Sequence, residues 1–228
     1  MKKLFSIFGV VLIILCISGC TKKSETINTN SKLAAAKKAM TENLNNYSYD
    51  VKLITKTGFM DITTNMNCKD DRRNKISYCK TSTYGVNTEE YIDYNNKKTY
   101  SKVTVAFGGD SSNGKWTSTK YSGENTNSWI NLNDYVFNLK EENKNGGTYY
   151  TGTIDSKKLA SAVSQIDTDV DTSNVVSDDI NISVFVNSSN YIENMSFVME
   201  IMGIEMEVEI TYKDFNKTGD IKIPAEAK

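Results

Sequence analysis

The sequence predicts an α+β protein built on one large curved antiparallel sheet, with helices covering its concave face. Three observations support this prediction. Residues 180–210 alternate between apolar and polar side chains in three segments divided by turn residues. Residues 47–106 contain shorter alternating runs divided by Gly and Asn. Segments with helical spacing or composition precede the first group of strands and separate it from the second.

Three helices are expected. The first follows the predicted N-cap Ser31 and ends before Asn45, because it is alanine-rich and has one apolar stripe. Residues 128–147 are expected to form the second, ending at the Gly pair, and residues 157–166 a short third. The stripe of the first helix consists of Leu33, Ala36, Met40 and Leu44.

The last third of the chain gives the clearest strand pattern. Each of its three strands is expected to carry a row of apolar side chains on one face, and each row must pack against another element. Glu205, Glu207 and Glu209 alternate with the third row and are expected to face solvent. The rows are Ile180, Ile182, Val184 and Val186, then Tyr191, Met195, Phe197 and Met199, and finally Ile204, Met206, Val208 and Ile210.

The amino terminus carries the features of a secretory signal. Two lysines precede an apolar run over residues 4–17, which is shorter than the roughly 20 residues that a membrane span needs. The run ends in Ile17-Ser18-Gly19-Cys20, which resembles the bacterial lipobox. That resemblance implies cleavage after residue 19 and a diacylglycerol on the Cys20 sulfur, with fatty chains such as palmitate. The alternative is an uncleaved anchor helix.

Polar residues follow the lipidated cysteine up to residue 31 and are expected to form a flexible tether. About eleven such residues span roughly 20 Å on average, which keeps the body close to the membrane. Residues 32–228 then form the folded domain. The Asn- and Lys-rich composition is typical of a Gram-positive source, where the anchor would rest in the outer leaflet of the cell membrane.

Cys68 and Cys79 are the two cysteines that remain after acylation. They flank a charged, turn-like segment, and an antiparallel register pairing them brings their α-carbons within disulfide range. A structural disulfide is therefore expected in an oxidising compartment, and two unpaired thiols are the alternative.

Composition and motifs indicate no catalytic or metal site. The chain has no histidine, the commonest general base, and its formal net charge is −1, without the clustered basic residues of a nucleic-acid-binding protein. The acidic run that includes Asp167, Asp169 and Asp171 lacks the glycine and glutamate of an EF-hand and is expected to be a solvated loop. Neither enzymatic activity nor a cofactor is predicted.

The final hairpins are rich in methionine and aromatic residues, which suit either an ordinary core or an adaptable apolar pocket. The candidate ligand-lining residues are Tyr191, Met195, Phe197, Met199 and Met206.

The chain from residue 31 onward resembles the LolA-like and LppX/LprG-like envelope lipoproteins. The segments that carry the resemblance are "LAAAKKAMTENLNNYSYDVKL", "YIDYNNKKTY" with the "KW" that follows it, and "ITYKDFNKTGDIKIPAEA". The resemblance implies a half-open β-barrel lidded by helices, which binds acyl chains or lipoproteins in its concavity. Two hypotheses follow: an anchored protein that binds a lipid or another hydrophobic molecule, or a surface lipoprotein with a filled core that contacts a protein or wall polymer. The sequence does not determine the oligomeric state.

Overall fold

A computed structural model describes residues 32–106, 113–121, 136–144, 146–156, 179–201 and 203–228. These residues contain one α-helix, α1, followed by a π-helical turn at Ala39–Asn43, a 3-10 turn at Ala225–Ala227 and eleven strands. The bounds are α1 (Lys32–Lys38), β1 (Asn46–Lys56), β2 (Asp61–Asp71), β3 (Ile76–Thr83), β4 (Val86–Asp93), β5 (Lys98–Val105), β6 (Trp116–Lys120), β7 (Val136–Lys144), β8 (Gly147–Ile154), β9 (Ile180–Asn187), β10 (Ile192–Ile201) and β11 (Ile204–Lys213).

The strands form a sheet in the order β6-β5-β4-β3-β2-β1-β11-β10-β9-β8-β7. The pairs β1–β2, β2–β3, β3–β4, β4–β5, β5–β6, β7–β8, β8–β9 and β9–β10 are all antiparallel, as the alternating sequence pattern predicts. The chain divides into two compact units, the first comprising Met1–Asn43 and Thr126–Glu207 and the second Leu44–Asn125 and Val208–Lys228. The large antiparallel sheet is therefore confirmed, and one of the predicted helices is present.

The second predicted helix is wrong, because residues 136–144 form strand β7. Pairing with β8 decides the conformation, with Glu141 opposite Tyr150 and Lys144 opposite Gly147. Lys and Glu have good helix propensity, but β7 ends the strand order, where charged side chains protect an edge from further pairing. The third predicted helix and the acidic run lie outside the described residues.

In the second unit, two hairpin turns share one construction. Asp71 accepts hydrogen bonds from the backbone and side chain of Asn74, and Asp93 does the same for Asn96. Lys75 and Lys97 follow in the left-handed region, at φ 54° and 50°. The side chains of both aspartates are buried within the turns that they stabilise. This repeated Asp-x-x-Asn-Lys pattern fixes the register of β2 with β3 and of β4 with β5.

Candidate hydrophobic ligand site

Strand β9 forms the centre of an apolar face in the first unit. Ile180, Ile182, Val184 and Val186 are buried, while the residues between them are exposed or half-buried. Tyr150 of β8 lies opposite Val184. Because strand side chains alternate between faces, these residues share one surface of the sheet.

Strand β10 continues this face through a β-bulge. The register shifts between Ile192 and Asn194, so that Ile192 lies opposite Val186 and Met195 opposite Val184. Phe197 then lies opposite Ile182. The bulge places the buried residues Ile192, Met195, Phe197 and Met199 on one face although they are not evenly spaced in sequence.

The structure brings Met195, Phe197 and Met199 of the candidate set together on β10, and Met206 is buried on β11. Tyr191 precedes β10 and is half-buried, and its backbone N–H and C=O bond to Asn187 in the turn. Ile192 and Tyr150 belong to the apolar face but were not assigned to it from the sequence. The bulge breaks the alternating pattern next to Ile192, and Tyr150 lies on β8, which is distant in sequence from β10.

Helix α1 packs against strands β9 and β10 of this unit. Its inward stripe is Leu33, Ala36 and Met40, with Met40 in the π-helical turn that follows the helix. The stripe predicted from helical spacing is thus confirmed for these residues. At the start of the helix, Lys32 Nζ donates to Thr148 Oγ1 at 3.1 Å, and Thr148 donates to Asn143 Oδ1 at 2.9 Å. These bonds tie α1 to the strands beneath it.

The Tyr150 hydroxyl is a polar atom within this apolar surface. It is buried and makes no hydrogen bond of ordinary geometry with the described residues. Burial and the nearby Glu141 charge raise the pKa of Tyr150, and the Leu33 backbone and the Thr148 side chain oppose that shift. Leu33 and Thr148 therefore offset part of the cost of burying this hydroxyl.

In the second unit, Cys68 of β2 and Cys79 of β3 lie opposite each other and form a disulfide, with α-carbons 4.1 Å apart. Asp70, two residues further along β2, accepts hydrogen bonds from the hydroxyls of Tyr47 and Ser77. Burial raises the pKa of Asp70, and its two hydrogen bonds and the Arg72 guanidinium oppose that shift. The hydrogen bonds to Asp70 link β1, β2 and β3, so the role of Asp70 is to stabilise the sheet.

Glu90 of β4 lies opposite Cys79 on one side and Ser101 on the other. It is half-buried, and its side chain forms no hydrogen bond or ion pair with another of the described residues. Burial raises the pKa of Glu90 above the ordinary glutamate value. The folded state therefore binds a proton at Glu90 more readily than the unfolded chain does.

Glu90→Gln is expected to raise the free energy of unfolding at pH 7 and to reduce its dependence on pH. In the parent, stability should increase as the pH falls from neutral through the raised pKa of Glu90 towards the ordinary glutamate value, because the folded state gains the proton first. Urea denaturation across this pH range measures the effect. Glu209→Gln, at an exposed position of the same unit, is the control. Equal pH profiles for Glu90→Gln and the parent would contradict the assignment.

The part of the chain that the structure describes holds no group of three His, Cys, Asp or Glu side chains arranged for a metal ion. Among the same residues, no helix is long and apolar enough to cross a membrane. Cys20 lies outside the described residues.

Comparison with solved structures identifies the fold. The lipoprotein LppX of Mycobacterium tuberculosis matches with 17% identity over 84% of this chain and 98% of its own, at a TM-score of 0.50. The chain has an LppX-like fold. The resemblance predicted from the sequence is therefore confirmed at the level of fold. A LolA superfamily protein from Nitrosomonas europaea also matches, with 11% identity over 87% of this chain and 96% of its own, at a TM-score of 0.33. No family model matches the sequence, and no curated protein does.

Proposed function

We propose that this protein is an extracytoplasmic lipoprotein, anchored to the cell membrane through acylated Cys20, that binds an acyl chain or similar apolar ligand. The ligand lies between helix α1 and the apolar face of the first unit. The observation that carries the proposal is this face itself, which includes the buried Met195, Phe197 and Met199 of strand β10, with α1 packed against β9 and β10. The LppX-like fold supports it, since LppX is described as a lipoprotein.

Methionine suits such a site because its flexible thioether adapts to ligands of different shape. Burial of the acyl chain provides the driving force, at about 25 cal/mol for each Å² of apolar surface removed from water. Catalysis and cofactors have no part in it.

One observation favours a second candidate function, a surface lipoprotein with a filled core. An empty cavity large enough for an acyl chain leaves open space against the side chains that line it, so these side chains would have accessible surface even if the cavity were dry. Met195, Phe197, Met199 and Met206 are at most 6% exposed. If the protein carries a ligand at this face, the elements that cover these side chains must therefore move to admit it.

Native mass spectrometry of the acylated mature protein, combined with displacement of a fluorescent fatty-acyl probe, tests the proposal. A carrier is expected to retain a co-purifying lipid and to bind the probe, and Met199→Ala should change the preferred chain length. Val198→Ala is the matched control, because Val198 is the exposed neighbour on the same strand. If neither ligand nor probe binds and Met199→Ala costs about 2–4 kcal/mol of stability, the core is filled and the second function stands.

A further inference from the structure

Glu90 of β4 has neighbours that do not donate a hydrogen bond to its carboxylate. Cys79, directly opposite on β3, is bonded through its sulfur to Cys68, so it carries no thiol hydrogen. Ser101 lies directly opposite on β5. Residues that lie opposite each other on two antiparallel strands share one surface of the sheet, with their Cβ atoms about 4.5–5.5 Å apart. Of these two neighbours, only Ser101 has a side-chain hydrogen to donate.

The hydroxyl hydrogen of Ser101 is already used in a bond to Thr117 of β6. Thr117 Oγ1 donates to the Ser101 carbonyl at 3.2 Å, and the two hydroxyl oxygens lie 3.0 Å apart. A hydroxyl has a single hydrogen, so the bond between the two oxygens uses the hydrogen of Ser101. Ser101 Oγ then only accepts from a third group. The space between Glu90 and Ser101 is therefore bounded by two hydrogen-bond acceptors.

The strands on either side of Glu90 supply no positive charge on its face. Successive strand residues point to opposite faces, so Lys80 of β3 and Lys102 of β5 project from the other side of the sheet, where Lys102 pairs with Glu89 at 2.9 Å. Burial raises the pKa of Glu90, because its carboxylate lacks such compensation. A ligand that brings both a positive charge and hydrogen-bond donors would stabilise this carboxylate.

Apolar side chains continue the same surface along β5. Val103, two residues beyond Ser101 and therefore on the same face, is 44% exposed. Val105 follows after another two residues, is half-buried and lies opposite Val86 of β4. The two valines of β5 thus lie about 7 Å and about 13 Å from Ser101 along the strand. The Glu90 face is the surface formed by Glu90, Ser101, Val103 and Val105.

We propose that the Glu90 face binds an amphiphile with a primary ammonium group. The ammonium donates to the Glu90 carboxylate and to Ser101 Oγ, and the alkyl chain lies along Val103 and Val105. An ammonium group carries three hydrogens and one positive charge, which matches a pair of acceptors of which one is a carboxylate. Charge-assisted hydrogen bonds of this kind are roughly twice as strong as neutral ones. A fatty acid would instead bring a second carboxylate, which Glu90 repels.

This site goes beyond the proposed function. The Glu90 face belongs wholly to the second unit, whereas the proposed acyl site belongs to the first. The two sites also select ligands differently, because the Glu90 face requires a cationic head group and the acyl site requires only apolar surface. Val103 is already exposed, so its burial under an alkyl chain adds to the driving force.

Isothermal titration calorimetry with octylammonium tests the proposal on the mature chain with Cys20→Ser, which carries no acyl chains of its own. Adding Glu90→Gln should weaken binding about tenfold, because the amide keeps the shape of the side chain and loses its charge. This variant is expected to be at least as stable as the parent, so binding is compared between folded chains. Glu89→Gln, one residue away on the other face, is the matched control and should bind as the parent does. Equal affinities with and without Glu90→Gln would overturn the proposal.

Two further ligands test the two parts of the amphiphile separately. Octanoate, with the opposite charge, and ethylammonium, with a shorter chain, should each bind at least about tenfold more weakly than octylammonium. Octanoate binding as tightly as octylammonium would show that Glu90 does not select the head group, and the proposal would be wrong. Ethylammonium binding as tightly would show that the valines contribute nothing, and an amphiphile would no longer be the ligand.

Carbon-13 NMR locates the bound ammonium group. The Glu90 carboxyl resonance, assigned by its absence from the Glu90→Gln spectrum, should shift on addition of octylammonium, and the Glu89 resonance should not. Octylammonium binding without a shift at Glu90 would place the ligand elsewhere and contradict the proposal. The fatty-acyl probe assay reports on the proposed function alone, so the failure of one proposal is distinguishable from the failure of the other.

Discussion

Cys20→Ala is expected to abolish both the acylation of residue 20 and the cleavage that precedes it. The proposed acyl chains are the anchor of the mature protein, and each buried CH₂ contributes about 0.8 kcal/mol, so two long chains make dissociation of the parent negligible. Fractionation of cells followed by intact-mass measurement tests this. The parent should lack residues 1–19 and carry the mass of the lipid, whereas the Cys20→Ala chain should carry neither the lipid nor a processed terminus at residue 20.

Cys16→Ala is the matched control, because Cys16 lies four residues earlier in the segment that is removed. This variant should be processed, acylated and located as the parent is. Retention of the Cys20→Ala chain in the membrane together with intact residues 1–19 in the parent would instead assign the apolar run to an uncleaved anchor helix.

The periodic parts of the fold could be predicted from the sequence because their signal is local. Period-two alternation predicted the buried residues of β9 and three of the four predicted for β11, where Ile204 is half-buried, and helical spacing predicted the stripe of α1. The first strand residues of β10 could not be assigned in this way. The bulge between Ile192 and Asn194 inverts the alternation locally, so that Ile192 joins the apolar face while Tyr191 remains in the turn.

Strand β7 shows the opposite case, in which pairing overrides local preference. Its sequence, VFNLKEENK, has residues of good helix propensity, but the backbone groups along one side of the strand pair with β8. Nothing within residues 136–144 specifies that partner. The exposed Phe59 likewise has no sequence signal, because an apolar residue in a strand pattern is expected to be buried, and only the position of the turn places it at the end of the β1–β2 hairpin.

Met40→Asp is expected to detach helix α1 from the strands that it covers. Met40 is 0% exposed, so the new carboxylate would be buried without a partner, which costs about 3 kcal/mol or more. Helix α1 with its π-helical turn is short, so local release of this segment costs less than unfolding the sheet. The variant should keep its β-sheet circular dichroism, bind a dye that reports exposed apolar surface, and lose retention of any acyl ligand.

Ala35→Asp places the same charge on the exposed side of α1 and is the control, expected to resemble the parent in all three measurements. Met40→Asp and Ala35→Asp together distinguish a helix that only covers the apolar face from a helix that the first unit needs in order to fold. Loss of the sheet signal in Met40→Asp would mean that the first unit folds only with α1 in place, which disfavours a ligand that enters beneath it. An intact sheet signal with high dye binding would mean that α1 can move away while the sheet stays folded, as a carrier requires.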